Sequence, residues 1–285
     1  FIVISPGIDV RNCYLKKLLK KNKKKIVTDL DIFCDYYKTN QIISITGTNG
    51  KSTTCKLLEK VFRKAGYNAE LLGNIGKPIL SVKKPNKKTI FILEISSYQL
   101  EYTKYFKSKH AAILNISPDH IERHGTMSNY IDIKTKIFQF QSSSDYSYLN
   151  FENKLTKKIF DNFRKKKFVS KLQKVKKLKN TGILKKIKNK YLLSHGNLEN
   201  ISFVVKISNN YKIGSKVILE VLNKFNGLPH RQEKFILNKK ITYINDSKAT
   251  NFDSTLQSLK SYTNIFWIVG GLSKISDKFF LKDVR

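Results

Sequence analysis

Cysteine is scarce in this 285-residue chain, and its pattern excludes several classes of protein. Cys13, Cys34 and Cys55 are odd in number and show no Cys-x-x-Cys spacing, so neither a disulfide framework nor a zinc site is expected. That usage points to a reducing, cytoplasmic compartment. No apolar run approaches the roughly 18 residues of a membrane span, so no membrane insertion is expected. Arginine is scarce too. Only positions 11, 63, 123, 164, 231 and 285 carry it, so 49 of the 55 basic residues are lysine, against 21 acidic residues and a net charge of +34. Such a charge ordinarily suggests nucleic acid. A surface built for bases and phosphates, however, uses the guanidinium fork, and Lys, Asn and Ile are abundant everywhere, as codon bias in an AT-rich genome would produce. No specific nucleic-acid partner is expected. The chain opens on Phe1 inside an apolar run with no signal-peptide pattern before it, and a fragment is expected.

The length allows two domains, and 40% hydrophobic content is enough for real cores. The most informative stretch is 42–54. A β-branched run, Ile42 to Ile45, reads as a buried strand. It ends in Gly47, Thr48, Asn49 and Gly50, and Lys51, Ser52 and Thr53 then open a helical pattern with apolar Leu57, Leu58, Val61 and Phe62. Glycines let the backbone turn N–H groups toward an anion, and a helix N-terminus adds partial positive charge. Lys51 can reach terminal phosphates, and the Ser52 hydroxyl can ligate magnesium. Two residues, not four, separate the glycines, which departs from the common phosphate loop. A nucleoside triphosphate site is expected; a plain glycine turn before a helix is the alternative.

Three further strand ends carry polar groups. The run Ile90 to Leu93 ends in Glu94, whose burial costs free energy unless a cation satisfies it. In open parallel sheets such ends face the ligand crevice, so Glu94 is a candidate magnesium ligand opposite Ser52. An exposed glutamate is the alternative. The run Ala111 to Ile116 is followed by Asp119 and His120, with His124 nearby, and the run Ile241 to Asn245 by Asp246, Lys248 and Thr250. The run 265–269 reads as one more strand, followed by Gly270, Gly271 and Lys274. Helices are expected at 12–22 (Leu15, Leu18 and Leu19 on one face), 29–37, 128–140 and 216–225. Residues 145–190 are the least informative, a helical stripe of Leu155, Ile159, Phe160 and Phe163 followed by a lysine-dense surface. Ser5, Pro6 and Gly7 form a turn, and Gly73, Asn74 and Gly76 are common turn residues.

Residues 45–54 resemble the ATP loop of the Mur ligase superfamily, which joins amino acids to carboxylates. The segment around Glu94, Ser96 and Tyr98 resembles the family stretch with a magnesium-binding glutamate, and the Asp119–His120 pair resembles the one whose histidine binds a second magnesium. Tyr130, Lys134, Lys136, Ile137 and Phe138 resemble the helix whose first lysine is carbamylated, which selects Lys134. Asn197 and Asn200 resemble an Asn-x-x-Asn pair on the adenine, although Gly196 stands where the family has His. Residues 227–231 (Gly-Leu-Pro-His-Arg) and 245–251 (Asn-Asp-Ser-Lys-Ala-Thr-Asn) resemble the family branch that adds D-glutamate.

The resemblance implies an α/β architecture of three domains: residues 1–38 as the end of a UDP-substrate-binding domain, 39–228 as a central ATP-binding domain with a mostly parallel sheet, and 229–285 as the start of a Rossmann-like, amino-acid-binding domain. It implies ATP and two magnesium ions as cofactors, with Ser52, Glu94, His120 and carbamylated Lys134 as metal ligands. Lys51, Glu94, His120 and Lys134 would be catalytic. Gly47 to Thr53, Asn197, Asn200, Arg231 and Asp246 would hold ATP, while Ser5, Pro6, Gly7, Asn74, Ser96, His230, Lys248, Thr250 and Lys274 would hold UDP-N-acetylmuramoyl-L-alanine and D-glutamate. A monomer is expected. Another carboxylate–amine ligase, such as a folylpolyglutamate synthase-like enzyme, and a non-catalytic nucleotide-binding remnant are the competing readings.

Overall fold

A computed structural model describes residues 1–82, 86–179, 182–236 and 241–271. In chain order the strands and helices are β1 (Ile2–Val3), α1 (Lys16–Lys21), β2 (Ile26–Val27), α2 (Asp29–Tyr36), β3 (Gln41–Thr46), α3 (Lys51–Lys64), β4 (Ala69–Gly73) and β5 (Ile90–Glu94). Next come α4 (Ser97–Glu101), β6 (His110–Ile113), α5 (Ile121–His124), α6 (Met127–Thr135), β7 (Tyr146–Asn150), α7 (Lys154–Lys165) and β8 (Lys171–Val175). The chain continues through α8 (Gly182–Lys185), α9 (His195–Asn210), α10 (Ser215–Asn223), β9 (Glu233–Ile236), β10 (Thr242–Asn245) and α11 (Phe252–Leu259).

Six strands form one sheet in the order β4-β5-β3-β6-β7-β8, with every neighbouring pair parallel. Alternation along the strands sends side chains to two faces. Ile43, Ile45, Ile90, Ile92 and Ala112 join Leu58, Val61 and Phe62 of α3 and Ile201 and Val204 of α9. Ile42, Phe91, Leu93, Ala111 and Ile113 join Leu30 and Phe33 of α2, Tyr130 of α6 and Phe160 of α7. Burying each such aliphatic or aromatic side chain contributes roughly 1.5–3 kcal/mol, which makes the two faces the main source of stability. From central β3 the chain leaves for the β4 edge, returns to β5, then crosses to β6 on the other side. The crevice at that reversal, beyond the strand C-termini, is the ligand position of open α/β sheets.

Helix starts carry local signals. Thr28 and Asp31 form a capping box on α2, and Ser96 and Gln99 form one on α4. Two small sheets flank the large one: β1 pairs with β2 in parallel, and β9 pairs with β10 antiparallel. Among the described residues no helix is long and apolar enough to cross a membrane.

Three local expectations are corrected. The first helix spans only Lys16–Lys21, and Leu15 and Leu18 are half exposed while Leu19 is buried, because this surface helix has only the small cluster of Ile4 and Ile26 to pack on. The helix expected over 128–140 ends at Thr135 and tightens into a 3-10 turn over Lys136–Phe138. Residues 265–269 form no strand, and Phe266 and Ile268 are almost fully exposed; an apolar run becomes a strand only beside a pairing neighbour, and none of the described strands lies there.

Candidate active site

The loop between β3 and α3 has features that suit an anion. Gly50 has φ of +83°, a left-handed conformation that favours glycine, and a Cβ there would collide with the Asn200 carboxamide. No side chain caps the start of α3, so its first N–H groups face the crevice. Two N–H groups earlier in the loop are occupied. Thr48 donates its amide to the Asn115 carbonyl at 3.0 Å, and Asn49 donates its own to Asn115 Oδ1 at 2.8 Å. Asn115 Nδ2 returns a bond to the Asn49 carbonyl at 3.1 Å, so both polar groups of Asn49's backbone are fixed by one carboxamide.

Two ammonium groups converge on this loop. Lys51 Nζ donates to the carbonyls of Gly47 and Thr48 at 2.9 and 2.8 Å. Lys134 Nζ donates to the Gly47 carbonyl at 3.0 Å and lies 4.7 Å from the centre of the Tyr130 ring. Burial pushes the Lys51 ammonium below its ordinary pKa, with Glu94 pulling the other way. For Lys134, which is 1% exposed, burial and then the neighbouring Lys51 charge push it well below. Tyr130 and Lys134 lie one turn apart on α6, so both reach the loop, with the Tyr130 hydroxyl 3.2 Å from Thr48 Oγ1. Lys136 points elsewhere, to the Glu101 carbonyl at 2.6 Å.

Glu94 ends β5 and is 1% exposed. Its Oε1 accepts from Asn74 Nδ2 at 3.0 Å, and its Oε2 is buried with no hydrogen-bond partner. Gly73 lies flat against this strand end, where a Cβ would strike the Glu94 carbonyl oxygen. A buried, unpartnered carboxylate oxygen is costly unless a cation meets it. The residues present therefore fit a divalent ion at Glu94. Among the described residues no three His, Cys, Asp or Glu side chains gather as a metal cage.

His120 stands at the start of the one-turn helix α5 in a left-handed conformation, φ 54°. Its Nδ1 lies 2.9 Å from the Tyr98 hydroxyl, and its Nε2 lies 3.4 Å from Asp119 Oδ2. His124, at the other end of α5, is buried. Its Nε2 lies 2.9 Å from Ser97 Oγ, and burial lowers its pKa to about 4.

Downstream residues come back to the loop. Asn200 abuts Gly50, and its Nδ2 donates to Asn197 Oδ1 at 3.3 Å. Asn197 in turn donates to the Tyr191 carbonyl at 3.0 Å. Arg231 Nη2 donates to Ser52 Oγ at 3.1 Å, across 179 positions of sequence. Asp246 accepts from the Gln232 amide at 3.1 Å and from the Ser258 hydroxyl. His230 has φ of 61° and pairs with Asn245, and its carbonyl accepts the Lys248 amide. Thr250 is exposed on the loop after β10, Ser96 serves as a helix cap, and Ser5, Pro6 and Gly7 form a turn closed by the Ile8 amide on the Ser5 carbonyl. Lys274 lies outside the described residues.

The structure thus gathers Gly47, Lys51, Ser52, Lys134, Asn200 and Arg231 around one loop, and Asn74 around Glu94. The sequence patterns assign no role to Asn115, Tyr130, Tyr191 or Arg123. Their only signals were a strand-end asparagine, an aromatic one helical turn before Lys134, and one of six arginines; the rest is long-range packing.

Sheet order, glycine-lysine loop and strand-end carboxylate define a doubly wound α/β protein of the phosphate-loop kind. Residues 45–218 match the Mur ligase middle domain. The chain belongs to the Mur ligase family. It is 36% identical over 287 residues to the UDP-N-acetylmuramoylalanine–D-glutamate ligase of Rickettsia prowazekii, covering 96% of this chain and 64% of that protein. With the enzyme of the same name from Clostridioides difficile it shares 36% over 292 residues, 97% of this chain and 64% of that protein. The chain therefore spans just under two thirds of the length of these curated relatives. Among solved structures, MurF from Acinetobacter baumannii shares the fold with a TM-score of 0.61 at 14% identity, over 82% of this chain and 57% of that one. The murein peptide ligase Mpl of Psychrobacter arcticus does so with 0.58 at 14%, over 88% and 60%.

Proposed function

We propose that the protein containing this chain is an ATP-dependent carboxylate–amine ligase that adds D-glutamate to UDP-N-acetylmuramoyl-L-alanine, a step of peptidoglycan precursor synthesis. The observation that carries the reading is the convergence of Lys51 and Lys134 on the Gly47 carbonyl beside a buried, half-satisfied Glu94. The relatives named above supply the substrate pair. In this reading the uncapped N-terminus of α3 binds the ATP phosphates, and Lys51 swings from the loop carbonyls to the terminal phosphate. Its charge stabilises the phosphoryl group as it passes to the substrate carboxylate and as the acyl phosphate yields to the D-glutamate amine. Asn197 and Asn200 face the adenine, Arg231 the phosphates and Asp246 the ribose. Lys248, Thr250 and Lys274 are assigned to the substrates, as are His230, Ser96, Asn74 and the turn of Ser5, Pro6 and Gly7.

Ser52, Glu94, His120 and Lys134 would hold two magnesium ions, Lys134 as a carbamate. The ions would neutralise phosphate charge when bound. Carbon dioxide adds to the neutral form of an amine, and burial pushes Lys134 further toward that form than Lys136, which supports Lys134. We divide the chain at about residues 38 and 228 into substrate, ATP and amino-acid domains. We place the enzyme in the cytoplasm, a monomer, a location consistent with three free cysteines. The test is phosphate release by the full-length gene product with ATP, magnesium and UDP-N-acetylmuramoyl-L-alanine across a panel of amino acids. Release with D-glutamate alone is expected; release with a different amino acid alone overturns the substrate assignment.

A further inference from the structure

Arg123 makes a set of contacts that the ligase reading does not use. It lies on α5, three residues after His120, with its side chain 10% exposed. Its Nε donates to Glu101 Oε2 at 2.8 Å, Nη1 to the Gly7 carbonyl at 3.3 Å and Nη2 to the Ile8 carbonyl at 2.7 Å. The guanidinium carbon sits 5.2 Å from the centre of the Tyr98 ring, and the Tyr98 hydroxyl is the group 2.9 Å from His120 Nδ1. Around it the same segment is held twice more. Arg11 reaches Glu101 Oε1 at 3.5 Å and the Arg123 carbonyl, and the Val10 amide donates to the Tyr102 hydroxyl at 3.3 Å.

One guanidinium therefore grips the turn of residues 5–8 through its backbone and leans on the tyrosine that orients His120. We infer that Arg123 is a positioning residue, a strut that keeps the turn assigned to the nucleotide substrate in register with His120. The inference rests on the proposed assignment of that turn and of His120. The grip is on carbonyls, so it tolerates any side chains in the turn, but it needs a planar fork with more than two donors. Lysine supplies a single point charge and cannot reach Glu101, Gly7 and Ile8 together. Glu101 is nearly buried as well, so removing Arg123 leaves a carboxylate with Arg11 as its remaining partner.

The experiment uses the full-length protein and the variants Arg123→Ala, Arg123→Lys and Glu101→Gln. Loss of the charge-assisted bonds in Arg123→Ala should raise KM for UDP-N-acetylmuramoyl-L-alanine about tenfold, with Arg123→Lys intermediate and the ATP dissociation constant within about twofold of the parent. Amide exchange at Ile8 and Val10 should rise at least about tenfold in Arg123→Ala, and less in Glu101→Gln, while Thr48 and Asn49 stay protected. An unchanged KM together with unchanged exchange overturns the strut. Equal losses of ATP and nucleotide-substrate affinity overturn it in favour of a general structural role. Faster exchange at Ile8 with no change in KM overturns the link to substrate. If the parent itself does not use the nucleotide substrate, the ligase reading fails, and the exchange data then decide the strut alone, unchanged rates overturning it.

Discussion

The buried ammonium of Lys134 donates to the carbonyl of Gly47 across 3.0 Å, although 87 positions separate the two residues. Helix α6 thereby presents an amine directly beneath the loop between β3 and α3. Burial and the adjacent Lys51 charge both favour its neutral form.

The carbamate proposed at Lys134 is the first testable point. Bicarbonate labelled with carbon-13 should give a carbamate signal in the full-length protein. Lys134→Arg should abolish the signal and lower turnover about 100-fold, the usual cost of removing one electrostatic group from an active centre. Lys136→Arg should leave the signal in place, because Lys136 is bonded to the Glu101 carbonyl. A carbamate that persists in Lys134→Arg refutes the assignment.

Glu94 makes an opposite pair of expectations for stability. Its Oε2 is buried without a partner, so Glu94→Gln should leave the metal-free protein as stable as the parent or about 1 kcal/mol more stable. The same variant should lose the rise in melting temperature that ATP and magnesium give the parent. Thermal melts with and without both ligands check the two together.

Asn115 holds the Asn49 backbone from both sides. Asn115→Ala leaves a half-buried N–H and a half-buried carbonyl less satisfied and should cost about 1 kcal/mol in urea unfolding. ATP affinity should fall about tenfold as the loop loosens. Asn115→Asp keeps the acceptor for the Asn49 amide but loses the donor, and places negative charge beside the phosphates. It should cost less stability than alanine while weakening ATP at least as much.

Stability should also fall on the acid side, through His110. This histidine is buried, with Nδ1 2.8 Å from the Tyr148 hydroxyl and its ring stacked on Tyr146, and burial lowers its pKa to about 3. The unfolded chain protonates it near 6.5, so between about pH 6.5 and 3 the unfolded state binds the extra proton. Stability is thus fully present above that window and is lost as pH falls through it. The one-proton slope is about 1.4 kcal/mol per pH unit. His124, lowered to about 4, acts in the same direction. Unfolding free energy measured against pH should be flatter by one proton in His110→Gln, even if that variant is less stable overall.

Much of this is legible in the sequence. The run Ile42 to Ile45, the two glycines and Lys51 announced strand, loop and helix because each signal is local: β-branching, backbone freedom and a 3.6-residue apolar repeat. Glu94 was legible for a similar reason, since a carboxylate closing a fully apolar strand is anomalous without a cation. The stretch 265–269 carries the same local signals yet forms no strand. Its composition suits a strand, but strand formation depends on a neighbour's hydrogen bonds, and composition carries no record of the neighbour.

By itself the sequence determined the alternation of strands and helices, the glycine loop after β3 and the lysine that opens α3, because these follow from side-chain type and spacing along one short segment. Only the tertiary structure decided which distant groups meet there. It set Lys134 rather than Lys136 under Gly47, closed Asn115 around Asn49, brought Arg231 onto Ser52, and placed Arg123 between the first turn of the chain and His120. Those contacts arise from the order of parallel strands in the sheet. That order depends on how two apolar faces are covered at once, a property of the whole chain that no local window contains.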